Sequence, residues 1–122
     1  VAGQNVIVAL SISPQVLLSQ QLAITEAALY TVPAATSVKI AQGTLCNVTS
    51  APVVVYLSIV KAGGTMGDGT HRVISGYSLL ANDTLSLRDY LGGAMLGPGD
   101  FIAGYSSTAT AVDLVISGTV HA

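Results

Sequence analysis

The stretch Val112-Asp113-Leu114-Val115-Ile116-Ser117-Gly118-Thr119-Val120-His121 decides the fold class. Val112, Leu114, Ile116, Gly118 and Val120 fall on one face of an extended chain, and Asp113, Val115, Ser117, Thr119 and His121 on the other. Successive side chains of an extended backbone point to opposite sides, so this period of two marks a strand with one buried face. The same alternation recurs where Leu85 and Leu87 alternate with Thr84, Ser86 and Arg88. It is present again near the start, where Val6, Val8, Leu10 and Ile12 alternate with Ile7, Ala9 and Ser11.

Between these stretches lie segments of turn chemistry: Val32 to Thr36, Asn47 to Pro52, Lys61 to Thr70, Ala81-Asn82-Asp83, Leu91-Gly92-Gly93, Leu96 to Asp100 and Ser106 to Thr110. Turns this frequent, with Val, Ile, Thr and Tyr between them, predict an all-β protein, an antiparallel β-sandwich of about eight strands. Jelly-roll-like and immunoglobulin-like connections are both open. The sandwich is expected over residues 21–122, with residues 1–20 as an N-terminal arm or added strand. Within 13–31 two readings compete. Ser13-Pro14 resembles a helix start, with Leu18, Leu22, Thr25 and Leu29 at helical spacing; Leu22, Ile24, Ala28, Tyr30 and Val32 share strand parity, and a strand from about 21 to 32 is the preferred reading.

The run Val53-Val54-Val55-Tyr56-Leu57-Ser58-Ile59-Val60 is nearly as apolar at its even positions as at its odd ones. A strand covered on both faces needs a second cover beyond the opposite sheet. The expected cover is a neighbouring subunit, ahead of the N-terminal segment, and this makes Val54 and Tyr56, with Val6, Val8 and Leu10 of the arm, the candidate interface residues. In the strand from Val38, polar Gln42 and Thr44 interrupt the parity of Val38, Ile40, Cys46 and Val48, and Gly43 is expected to mark a bulge.

Half of the 122 residues are hydrophobic and only 8% are charged, against a usual share of about 25%. The surface must therefore be built from Ser, Thr, Gly, Ala and exposed aliphatic groups, which favours assembly with other copies or a larger scaffold. The net charge is -2, with no run of either sign, which argues against neutralising a row of phosphates and so against direct nucleic-acid binding. No apolar stretch reaches the length of a membrane helix, and 1–20 lacks the basic start of a signal peptide. Cys46 is the one cysteine, expected as a buried small hydrophobe.

No constellation for catalysis stands out, and the chain is expected not to be an enzyme. His71 follows the glycine-rich Gly63 to Thr70 segment, but with His121 and Cys46 as the remaining soft ligands a metal site is short of donors, and the expected role is a hairpin tip with glycines at positive φ. No phosphate-binding loop or nucleophile elbow is present. Asn47-Val48-Thr49 and Asn82-Asp83-Thr84 match the glycosylation pattern and are read as turns bonded to their local backbone. Gly97-Pro98-Gly99-Asp100 is read as a turn in which Asp100 accepts from backbone amides. No cofactor is expected.

The order of segments adds a resemblance. Leu29-Tyr30-Thr31-Val32-Pro33-Ala34-Ala35-Thr36, then Leu45-Cys46-Asn47-Val48-Thr49 and Val53-Val54-Val55-Tyr56-Leu57, resembles small β-sandwich virion proteins of tailed bacteriophages. It continues through Leu79 to Leu85 and Pro98-Gly99-Asp100 to Ile116-Ser117-Gly118, covering about residues 21–121. The resemblance implies a structural protein that decorates the capsid, with itself, as a homotrimer, and the phage major capsid protein as partners. It also implies assembly in the bacterial cytoplasm and a final place on the virion surface. A minor tail or baseplate protein is the alternative. From a different class, a carbohydrate-binding module would use Tyr77, Tyr90 or Tyr105.

Overall fold

The structure, a computed structural model, describes residues 11–67 and 69–122. Among them nine strands and one short helix follow in the order β1 (Ile12–Gln21), β2 (Ala27–Thr31), β3 (Ser37–Asn47), β4 (Val53–Val60), β5 (Arg72–Leu79), β6 (Thr84–Ser86), α1 (Arg88–Leu91), β7 (Met95–Leu96), β8 (Phe101–Ser106) and β9 (Val112–His121). They form two antiparallel sheets packed face to face. Sheet A has the order β1-β9-β3-β6, with β7 also on β3, and sheet B the order β2-β8-β4-β5. The chain is therefore a long antiparallel ribbon, β1 on β9, β2 on β8, β3 on β6 and β7, β4 on β5, wrapped so that alternate ribbon pairs fall in opposite sheets. That connection is the jelly roll, which selects one of the two expected architectures.

The deciding stretch forms β9, in the middle of sheet A. Val112, Leu114 and Ile116 are fully buried, opposite a layer that includes Val55, Leu57 and Ile102 of sheet B, all in one apolar cluster. At Gly118 β9 lies so near β3 that a Cβ would collide with the carbonyl oxygen of Lys39.

Two expectations are corrected. The strand foreseen from about 21 to 32 is two strands, and the helical alternative at Ser13-Pro14 is absent. The chain leaves sheet A after Gln21, buries Leu22 between the layers, and crosses to sheet B, with Leu22 donating to Val112 and Ala23 accepting from Ser106. Gln20 and Gln21, either side of the expected arm boundary, belong to one strand. The second correction concerns β3, where the register shifts between Ile40 and Gln42, not at Gly43. The extra residue, Ala41, flips the parity, so Leu45 and Asn47 are fully buried and Cys46 is half-buried on the outer side. Gly43 has another role, since a Cβ there would lie 2.9 Å from the Val115 carbonyl oxygen.

Among the described residues β1 is the edge strand of sheet A, and it carries no charged residue. Reciprocal bonds join Ser11 and Ala122, so antiparallel alternation turns the Pro14 position toward the free edge, where a missing N–H breaks no ladder bond. Pro14 and the register shift between Val16 and Leu18 blunt the edge that charges do not. On the opposite sheet, edge strand β5 is blunted by register shifts on either side of its pairing with Tyr56 and Leu57. No helix among the described residues is long and apolar enough to cross a membrane.

Candidate functional site

Of the five expected interface residues, Val6, Val8 and Leu10 lie outside the described residues. Val54 and Tyr56 are half-buried on the outer face of β4. The second cover that this strand requires comes in part from its own chain. Ser58 and Val60, on the same face, are 1% and 0% exposed, and the segment after β4 folds back so closely that a Cβ on Gly64 would lie 2.8 Å from a methyl of Val60. Further along, the Gly67 amide donates to Glu26 Oε2 at 2.7 Å.

Around Tyr56 the cover is a cluster that sequence reasoning missed. Tyr56 is the direct cross-strand partner of Tyr105 on β8, and the rings stack with centroids 4.4 Å apart and planes 9° from parallel. The Arg72 guanidinium carbon lies 5.0 Å from one ring centre and 5.3 Å from the other. Its Nη2 is 3.0 Å from Glu26 Oε1, and both side chains are largely buried. That contact is electrostatic and not an aligned hydrogen bond, since Oε1, like Arg72 Nε and Nη1, has no hydrogen-bond partner. The Glu26 carboxylate compensates the guanidinium charge, and the tyrosine stack beside it adds a cation–π contribution. A cleft of about 340 Å³ lies beside the pair, lined by Ile24, Thr25, Glu26, Gly67, Arg72 and Tyr105.

A second surface, poor in charge, is the outer face of sheet A. The register sets its side chains in rows: Pro14, Thr119, Lys39 and Met95; then Val16, Ser117 and Gln42; then Ser19, Val115, Thr44 and Ser86; then Gln21, Asp113, Cys46 and Thr84. Ile12 extends it beside His121. Ile12, Val16, Met95 and Val115 are 56, 59, 58 and 36% exposed. Lys39 and Asp113 are the only residues of these rows that carry a full charge, one in the first row and one in the last. A shallow depression of about 270 Å³ lies across the middle rows at Gln42, Thr44, Ser86, Val115 and Ser117.

The remaining singled-out residues have structural positions. Asn47 is fully buried. Its Nδ2 donates to the carbonyls of Ala51, Leu79 and Leu80 at 2.8, 3.0 and 3.1 Å, and its Oδ1 accepts from the Thr49 amide and hydroxyl at 2.9 and 2.7 Å. Asn82 turns the chain at φ 54°. Asp100, 2% exposed, accepts from the Gly97 and Ala62 amides at 2.8 and 2.9 Å and from Lys61 Nζ at 3.0 Å. Burial pushes its carboxyl up, but the two amides and the Lys61 ammonium outweigh that and hold it below the ordinary carboxylate value. His71 is exposed at φ 64° just before β5, in the turn that the glycines predicted. Tyr77, Tyr90 and Tyr105 lie on three different elements, β5, α1 and β8. No cluster of metal-ligating residues occurs among the described residues. No family model, characterised protein or solved structure matches the chain.

Proposed function

We propose that this chain is a structural protein of a tailed-phage virion, acting in many copies as a decoration of the capsid shell. The observation that carries the reading is the outer face of sheet A, a broad strand surface that exposes Ile12, Val16, Met95 and Val115 among Ser, Thr and Gln. Exposed apolar area of this kind, with so little charge to solvate it, is suited to being covered. The ordered segments that resemble small virion proteins support the same reading, and so, by analogy alone, does the jelly roll, an architecture used in viral shells and also in lectins.

The action is passive. Apolar and hydroxyl-bearing faces buried against neighbouring subunits add cohesion to the shell, and binding to the assembled state stabilises it by mass action. No chemical step is involved, and the major capsid protein is the partner. The test is to delete the gene from the phage that carries it. The reading expects particles whose shells open at lower temperature and recover when the purified protein is added back; unchanged shells would refute it. The copy number per virion separates shell from tail, since hundreds of copies fit the shell and a few dozen or fewer fit a tail or baseplate.

A further inference from the structure

Lys39 and Asp113 stand at opposite ends of one face. Thr119, the partner of Lys39 on β9, is six residues from Asp113, a separation of about 20 Å along a strand. That exceeds the Debye length of about 8 Å at physiological salt, so within one copy they do not pair. Neither takes part in an ion pair among the described residues.

We propose that the outer face of sheet A is the contact between two copies of the chain, packed face to face about a two-fold axis. This rests on the multi-copy reading, takes a two-fold pair in place of the homotrimer that the resemblance implied, and assigns this face to the second copy, which leaves other surfaces of the chain for the major capsid protein. The axis runs across the strands, between the row of Gln42 and Ser117 and the row of Thr44 and Val115. The charges select it. A two-fold axis across the strands reverses the order of rows while keeping β3 over β3 and β9 over β9. Lys39 of one copy then falls over Cys46 of the second, directly beside Asp113 of that second copy, and symmetry repeats the pair at the other end. An axis along the strands would keep the rows in order and bring Lys39 beside Lys39 and Asp113 beside Asp113, an arrangement that like-charge repulsion disfavours. With the selected axis Val115 faces Ser117 and Thr44 faces Gln42, so the middle of the contact holds small and uncharged groups. Sheets stacked this way keep their strands nearly aligned, as in other two-layer β packings.

The test is sedimentation equilibrium of the full chain and of charge variants at physiological salt. The wild-type chain is expected to dimerise. K39D and D113K are each expected to weaken the dimer about tenfold, because each leaves two like-charged pairs across the contact. The double variant K39D/D113K, and an equimolar mixture of the two single variants, are expected to regain wild-type affinity, because both restore opposite charges at every pair. A purely structural role for either residue would give no such recovery. A wild-type monomer, a trimer, single variants that dimerise normally, or a mixture that stays monomeric would each overturn the two-fold contact. Binding of these same proteins to gene-deleted particles is measured in parallel: particle binding by a chain that does not dimerise overturns this contact alone, whereas a dimer that ignores particles counts against the virion role.

Discussion

Tyr56 and Tyr105, direct partners across β4 and β8, stack with ring centroids 4.4 Å apart and place Arg72 beside both rings and Glu26 beside Arg72. Removing one member of a buried ion pair strands the other. R72A is expected to cost about 3 kcal/mol, measured by urea denaturation. The double variant E26Q/R72M is expected to cost clearly less than the sum of E26Q and R72M. Additive single effects would mean that the pair is not coupled.

Asn47 ties three segments together, since its one amide group meets the 49–51 turn and the end of β5. N47A removes the one donor that links these carbonyls, including the buried one of Leu79, and leaves only the Asp83 amide on Leu80 and the Thr49 hydroxyl on Ala51. The expected loss is about 3 kcal/mol, with a lower thermal midpoint, whereas T49A, which spares Nδ2, is expected to cost about 1 kcal/mol.

Asp100 makes stability depend on acid. Its folded carboxyl titrates below the ordinary value, so its contribution is complete above the unfolded value of about 3.9 and is lost as pH falls through the lower folded value. D100N is expected to be less stable at pH 7 by about 1–3 kcal/mol and to lose less on going from pH 5 to pH 2. Lys61 is 81% exposed, so K61A is expected to change stability by less than about 1 kcal/mol. Urea midpoints across pH check both.

Gly118 admits no side chain, because a Cβ there would run into the backbone of β3 at Lys39. G118A is expected to unfold the domain or lower its thermal midpoint by more than 10 °C, on the order of 3 kcal/mol or more. An alanine at Gly63, which has open space around it but a φ of 81°, is expected to cost only about 1 kcal/mol.

The alternation in β9 and β6 was legible because one face of each meets the core, and the turn at Asp100 because Gly-Pro-Gly-Asp admits few conformations. The break at Leu22 was not legible, because Leu22, Ile24, Ala28, Tyr30 and Val32 keep strand parity straight through a crossing between sheets. The bulge at Ala41 was misplaced because glycine is the usual marker, while here Gly43 is fixed by the nearness of Val115. Tyr56 stood out for apolarity alone. Its stacking with Tyr105 and Arg72 depends on pairing between strands more than forty residues apart in sequence, which no local pattern reports. The charge-poor outer face of sheet A was foreshadowed by composition, but its membership required the register of five strands.

Electron cryomicroscopy of particles of the proposed parent phage tests the central claim most directly. The account predicts jelly-roll density repeated over the shell, with Val16, Val115 and Thr44 covered by a neighbouring subunit. Particles without that density, or with the protein present and this face bare to solvent, would contradict it.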